Sequence, residues 1–459
     1  MKILLVAPPS KSSVKKVLEV TSPPLGLAYI ASMLEKSGEG VKIIDSLAEN
    51  YTFDDIRKEI DIWGADVVGV TSTTPTFYDA LKVAKIAKEC NATTVLGGPH
   101  VTFTAKETLS NYPYVDFVVR GEGEFTMLEL VESLKKREEP KSVLGLSYRS
   151  KSGVIKENPP RPPIMDLDAL PIPAYHLLPM SKYTFQGLRF ATMVTSRGCP
   201  FQCVFCSSSK ICGKKWRGRS AKKVVDEMEF LIDKYKVNCI EFLDDTFTFD
   251  IKRVIKICEE IISRGIDVNW MCSSRVNLFN RELAFKISSA GCQCVYFGVE
   301  SGSQRILNLM RKGITLGQAV KAINLAKEAG INTVASFILG MPDESIDEAN
   351  STIEFATRLN PDYAQFTICT PYPGTDLYSY AVKNNWLLTR NWSKYDALTP
   401  VMKTKIGASM LRKLLAKAYF KFYARLAYIF NKIKRKEFII LRKGFKVIWN
   451  YLKALTGRQ

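Results

Sequence analysis

Over residues 1–140, short β-branched runs alternate with amphipathic stretches, and this alternation limits the possible folds more than any other feature. Lys2–Ala7, Val41–Asp45, Val67–Thr71, Thr93–Gly97 and Val115–Val119 read as strands, with helices over Leu25–Ser37, Asp54–Ile62, Phe77–Lys88 and Glu124–Lys136. Right-handed crossovers wind such a series into an α/β, doubly wound parallel sheet. Its ligand crevice is expected beyond the carboxyl ends of the strands. Pro8-Pro9-Ser10, the turn with Ser72, Gly97-Gly98-Pro99-His100 and Arg120-Gly121-Glu122-Gly123 fall at those ends. Glycine lets backbone approach a ligand and hydroxyls bind polar groups, so Ser72, Gly97, Gly98, His100, Gly121 and Gly123 are candidate ligand residues. The alternative is a flavodoxin-like domain that keeps its fold without a cofactor.

Proline interrupts the pattern over 141–189, in Asn158-Pro-Pro-Arg-Pro-Pro163 and Leu170-Pro-Ile-Pro-Ala174, which read as an extended connector. Leu144–Tyr148 is expected to form a small hairpin strand, and His176 to be structural. A second βα series fills 190–402, with strands over Phe190–Thr195, Cys239–Leu243, Asp267–Cys272, Cys294–Gly298, Asn332–Leu339 and Tyr363–Cys369. Six units make a partial barrel, whose chemistry belongs at the carboxyl ends of the strands. Asp244 and Asp245, Arg275, and Glu300 with Ser301 stand there. For the acids the competing reading is a helix cap or first-turn charge.

The loop after the first barrel strand is Thr195-Ser-Arg-Gly-Cys-Pro-Phe-Gln-Cys-Val-Phe-Cys206. Cys199, Cys203 and Cys206 have CxxxCxxC spacing, and three close soft thiolates can hold an iron-sulfur cluster while leaving one iron open. A zinc site or incidental core thiols is the alternative, but zinc sites pair CxxC motifs with a fourth ligand, and no second pair lies nearby. Of the other cysteines most sit in apolar patterns. Cys369, at the end of the sixth strand, is the candidate active-site thiol, and Cys212 lies in a basic loop that could cover a cluster.

The cysteine spacing, Phe205 before the third cysteine and the Arg197-Gly198 lead-in resemble the radical S-adenosylmethionine enzymes. The resemblance implies a (βα)6 partial barrel and a 4Fe-4S cluster whose open iron binds S-adenosylmethionine. An electron, from a donor such as ferredoxin or flavodoxin, splits the sulfonium and gives a radical that attacks an unactivated C–H bond. The upstream strand ends, with Ser22-Pro-Pro-Leu-Gly26, resemble the cobalamin-binding domain of one subclass. In that subclass Asp244-Asp245-Thr-Phe247 matches a Phe-x-Asp-Asp-x-Phe variant of the segment that binds the methionine amino group. Arg275, Glu300 and Ser301 are then implied contacts to its carboxylate and ribose, with Phe205 beside the cofactor. The Asp-x-His-x-x-Gly cobalt-ligating motif of related corrin domains is missing, since no histidine precedes His100. The lower axial face is therefore expected to be left to water, another side chain or nothing.

Charge concentrates at the far end. Sixteen Lys or Arg face the single acid Glu437 over residues 403–459, which accounts for most of the formal +19. Leu411, Leu414, Leu415, Ala418, Phe422, Leu426, Ile429 and Ile433 recur at helical spacing among these bases, and a second segment, Phe438–Leu455, carries Phe445, Trp449 and Tyr451. A basic, aromatic amphipathic extension suits an anionic bilayer surface or a lipid substrate. Nucleic acid fits the charge alone and is not expected; the bland reading is a helical subdomain packed on the barrel. Met1–Ala7 is too short for a signal peptide and no apolar run spans a bilayer, so a cytoplasmic protein, peripheral on the inner membrane face, is expected. The resemblance extends to lipid-modifying members such as archaeal tetraether ring synthases, calditol synthase and hopanoid methylases. A methyltransferase of soluble natural products or peptides, or a cofactor carrier without catalysis, is the alternative.

Overall fold

β-Branched runs become strands in the computed structural model, which describes residues 1–10 and 21–434. These divide into two units, one holding 1–10, 21–200 and 207–241, the other Phe201–Cys206 and 242–434. In the first unit β1 (Lys2–Ala7), β2 (Gly40–Asp45), β3 (Val67–Thr71), β4 (Thr93–Gly97) and β5 (Phe117–Val119) are parallel, in the order β2-β1-β3-β4-β5. Ile3, Leu4, Val6, Val67, Val68, Leu96 and Val118 are buried, as expected of strands covered by helices on both faces. The order reverses between β1 and β3, which makes their carboxyl ends the switch point.

One expectation for this unit needs correcting and one is extended. Residues 98–114 carry no helical signal, yet Pro99–Asn111 is a helix, kinked at Thr104. Proline is tolerated at its first position, while the β-branched residues Val101, Thr102 and Thr104 mask the pattern. The expected hairpin strand is β6 (Leu146–Arg149), which pairs antiparallel with both β5 and β7 (Ile155–Glu157), so the sheet has seven strands. The proline-dense stretch contains only 3-10 turns beyond β7, but it is pinned. Buried Tyr183 donates to Asp45 Oδ2 at 2.8 Å, and the single hydroxyl proton of buried Tyr175 is shared between the Thr192 carbonyl at 2.9 Å and Glu227 at 2.8 Å. His176 is structural as expected, 3.0 Å from Glu35 Oε1.

The remaining strands, with the cysteine loop, are divided between the two units. In the first unit lie β8 (Thr184–Phe185) antiparallel to β9 (Leu188–Met193), and β10 (Ser196–Arg197) antiparallel to β11 (Arg217–Gly218). After β12 (Cys239–Phe242), the second unit pairs β13 (Asn269–Ser274), β14 (Cys292–Glu300), β15 (Asn332–Leu339) and β16 (Tyr363–Ile368) in parallel, in sequence order. The six expected barrel strands are β9 and β12 to β16.

The described part of the basic extension holds two helices, Ala408–Tyr423 and Leu426–Lys434, where the stripe from Leu411 to Ile433 was expected to lie on one. The first buries Leu411, Leu414, Leu415, Ala418 and Phe422, as the packed subdomain requires. Leu426 and Ile433, assigned by spacing to the same stripe, are instead 73% and 44% exposed, because the chain turns at Ala424 and Arg425. Strand β16 ends its sheet, so its outer backbone groups need partners. Tyr419 and Tyr423 supply them: each hydroxyl accepts from a strand N–H (Phe366, 3.3 Å; Ala364, 3.1 Å) and donates to the same residue's carbonyl (3.0 and 2.8 Å). Phe438–Leu455 lies outside the described residues.

Candidate active site

The second half of the cysteine loop is anchored by its apolar residue. Val204 is buried among Ile306, Met310, Met341, Cys369 and Leu377. Its N–H donates to the Met310 carbonyl at 3.0 Å and its carbonyl accepts from Leu377 at 2.9 Å, so the chain on both sides, with Cys203 and Cys206, is held by backbone. Arg275, 6% exposed, stacks over Phe201 at 3.6 Å and points Nη1 at the Cys203 sulfur, 3.7 Å away. Its other nitrogens bond the Lys312 carbonyl and Asn277 Oδ1. A guanidinium keeps its charge when desolvated, so a fixed cation faces a sulfur that must be anionic to bind iron.

Lys312 is the residue that sequence reading missed. Its ammonium pairs with Glu300 Oε1 at 2.7 Å, both side chains being 8% exposed, and lies 5.9 Å from the Phe205 ring centre. Glu300 has a φ of 68°, uncommon for a residue with a side chain, beside a register shift in β14. A Cβ at Gly298 would come within 2.6 Å of Lys312 Nζ, so a larger residue there would push the pair aside. No periodicity marks Arg311-Lys312-Gly313; a lysine just before a glycine turn was the one available hint.

The competing cap readings fail here. Helix Ile251–Ser263 is capped by Asp250 and helix Gln304–Leu309 by Ser303, not by Asp244, Asp245 or Glu300. The paired aspartates diverge: Asp244 is buried and Asp245 exposed. Ser301 is fully buried, 3.1 Å from Thr352 Oγ1, and accepts the Ser303 N–H, so its hydroxyl fastens the loop to the helix Ile346–Leu359 rather than standing open to a cofactor. Cys369 is also corrected. Its sulfur lies 3.4 Å from Met341 Sδ and burial pushes the thiol far up, so it is a core residue and not a nucleophile.

Cys199 is held within the first unit. Its N–H donates to the Gly213 carbonyl at 3.2 Å, and Gly198, at φ 87°, packs so closely that a Cβ would strike the Lys215 carbonyl. The basic loop thus folds back on the lead-in, with Arg197 opposite Arg217 in β10 and β11. Among the described residues no three His, Cys, Asp or Glu side chains converge as the ligands of one ion. A cubane binds each thiolate through a different iron, so its sulfurs stand farther apart than those around one ion; three thiols from one short loop, with a cation at one, suit it.

At the strand ends of the first sheet, Gly98 (φ 104°) brings its backbone against Ser72, where a Cβ would lie 2.6 Å from the carbonyl oxygen. Ser72 is fully buried, donates its N–H to the Gly97 carbonyl at 2.8 Å and accepts from His100 N–H at 3.2 Å. Gly121 donates to the Thr102 hydroxyl at 3.1 Å, and Gly123 precedes the helix Glu124–Lys136. The half-buried glycines and the hydroxyls of Thr73, Thr76 and Thr102 are neutral donors and acceptors that match the amide side groups of a corrin.

His100 has a structural use: its ring is 1% exposed, 4.3 Å from Phe77 and 3.3 Å from Thr74 Oγ1. The chain's other histidine, His176, is paired with Glu35. Burial pushes His100 from 6.5 down to about 4. The unfolded chain gains the proton first, so this contribution is complete above pH 6.5 and is lost as pH falls toward about 4. Urea unfolding on either side of that range should show a smaller acid loss for His100→Gln than for the parent; equal losses would refute the assignment.

Two family models match: one described as the Radical SAM superfamily over residues 193–356, the other as the B12 binding domain over 12–131. A Pyrococcus horikoshii protein described as an uncharacterized methyltransferase is 51% identical over 97% of this chain and 97% of its own length. The anaerobic magnesium-protoporphyrin IX monomethyl ester cyclase of Rubrivivax gelatinosus is 34% identical over 92% of this chain and 80% of its own. Among solved structures, the radical S-adenosylmethionine methyltransferase TsrM of Kitasatospora setae, with cobalamin and a [4Fe-4S] cluster bound, superposes with a TM-score of 0.71 at 19% identity, covering 83% of this chain and 78% of that one.

Proposed function

Because the chain belongs to the cobalamin-binding radical S-adenosylmethionine enzymes, we propose that it methylates an unactivated carbon of a membrane lipid. The family's cofactors are a 4Fe-4S cluster, S-adenosylmethionine and cobalamin. Together, and with an electron from an external reductant, they supply a hydrogen-atom abstractor and a methyl donor. Cys199, Cys203 and Cys206 would hold the cluster. Arg275, the Glu300–Lys312 pair, Asp244 and Asp245 supply the charges that complement the amino, carboxylate and ribose groups of S-adenosylmethionine, and Phe205 offers an apolar surface beside them. Gly97, Gly98, Gly121 and Gly123, half-buried at the strand ends, would line the corrin edge, with Ser72 buried behind them. Methyl transfer, rather than cyclisation, is supported by the methyltransferase description of the 51% identical relative.

The lipid part rests on one observation. Phe420, Leu426 and Phe430 are 57%, 73% and 67% exposed on the last two described helices, the first of which also exposes Arg412, Lys413 and Lys417. Large apolar side chains standing out among bases suit the boundary of an anionic bilayer. No described helix is long and apolar enough to cross one. Part of the basic charge is structural: Lys432, 3% exposed, sits 4.1 Å over Tyr363, and Lys417 and Lys421 bond Asn350 and Glu354.

Sedimentation with vesicles of anionic phospholipid tests the reading. Binding should fall about tenfold or more for each of Phe420→Ser, Leu426→Ser and Phe430→Ser, since burying one such side chain contributes roughly 1.5–3 kcal/mol. Unchanged binding, or none by the parent, would favour a soluble substrate. Anaerobic reaction with lipid extract should release 5'-deoxyadenosine together with S-adenosylhomocysteine; the first without the second would point to cyclisation or rearrangement.

A further inference from the structure

The loop Arg120–Glu124, at the corrin edge, is joined by buried ion pairs to the segment that carries Cys199. Arg197 donates to Glu124 Oε1 at 2.6 Å and lies 3.9 Å from Glu122 Oε1; its side chain is 11% exposed and those of the two glutamates 6% or less. Glu122 also takes Arg217 at 2.7 Å and the Ile164 N–H at 2.7 Å. Arg217 in turn bonds the Cys212 carbonyl at 2.5 Å, in the loop whose Gly213 carbonyl receives the Cys199 N–H. The face of Tyr29 lies 5.1 Å from the Arg197 guanidinium. All these residues belong to one unit, although Glu122 and Glu124 fall in the B12 binding match and Arg197 in the Radical SAM match.

We infer that Glu122 and Glu124 are positioning residues that transmit occupancy of the corrin edge to the Cys199 end of the cluster loop. Gly121 (φ 73°) and Gly123 flank Glu122, so a ligand that orders this loop also orders both carboxylates. A buried charge pair allows little freedom, because separating the charges strands each without solvent. Arg197 is therefore held when the glutamates are held, and Cys199 lies two residues further on. Glu124 Oε2 is buried with no hydrogen-bond partner among the described residues. The inference rests on cobalamin occupying the strand ends.

Hydrogen exchange of peptides within 195–200, read by mass spectrometry on the full chain with and without hydroxocobalamin, tests it. Absorbance titration measures binding separately. In the parent, hydroxocobalamin should slow exchange about tenfold or more; in Glu124→Gln it should bind with similar affinity but slow exchange little. If the parent binds the corrin without slowing, or the variant slows as much as the parent, the coupling is overturned. A merely structural Glu124 would raise exchange equally with and without the corrin, which also overturns it. Absence of binding by the parent overturns both the coupling and the reading of the strand ends. Should Glu124→Gln fail to fold, Glu122→Gln, which removes the Arg217 branch, gives the same discrimination.

Discussion

Cys203→Ala should yield a folded protein that, after anaerobic reconstitution, retains little iron and releases no 5'-deoxyadenosine above a protein-free blank. Of the three thiols it is the one faced by Arg275, and its loss removes a soft ligand that alanine cannot replace. Folding should survive, because the loop hangs on Val204 backbone bonds and an apolar cluster that Cys203 does not enter. Cys369→Ala is the control. That thiol is 3% exposed and its role is packing, so iron content and cleavage should stay near the parental level with a modest drop in stability. Iron analysis and product chromatography decide between these outcomes. A Cys203→Ala protein with full iron would sink the ligand assignment.

The largest stability effect is expected at Glu227→Ala, about 3–5 kcal/mol, seen as a lower urea midpoint. Glu227 is completely buried, pairs with Arg219 and accepts from Tyr175 at 2.8 Å. Alanine would strand the Arg219 guanidinium, whose side chain is 8% exposed, without its counter-ion. Burial and the nearby Glu227 charge both push the Tyr175 hydroxyl up, so it stays a neutral donor. Glu227→Gln keeps an acceptor for Tyr175 and should cost less than alanine. A loss under about 1 kcal/mol for Glu227→Ala would place this network among dispensable polar contacts.

These two sites differ in how far they could be read beforehand. Cys203 belongs to a spacing visible in eight consecutive residues. Glu227 is one acid on an amphipathic helix, and its partners come from a proline-dense stretch and a basic loop whose composition shows only a connector and a cover. The same divide runs through the barrel. Asp244 and Asp245 are adjacent and chemically alike, yet one is buried and the other exposed. Lys312 had no pattern to mark it, and Ser301 next to Glu300 turned out to serve the helix behind it. In the extension, helical spacing placed Leu426 and Ile433 on the same stripe as Leu411, but the turn at Ala424 moved them outward.

By itself the sequence determined what depends on near neighbours: the alternation that makes both sheets, the strand ends that carry glycine and hydroxyls, and a cysteine spacing that suits a cluster with one open iron. Local periodicity and local ligand spacing require no knowledge of the rest of the chain. The tertiary structure alone decided which polar groups were buried, and hence which had to find a partner far along the chain. It set Lys312 against Glu300, Tyr419 and Tyr423 along the open edge of β16, and Arg197 between Glu122 and Glu124. Desolvation makes those pairings obligatory, and only the fold determines where desolvation occurs.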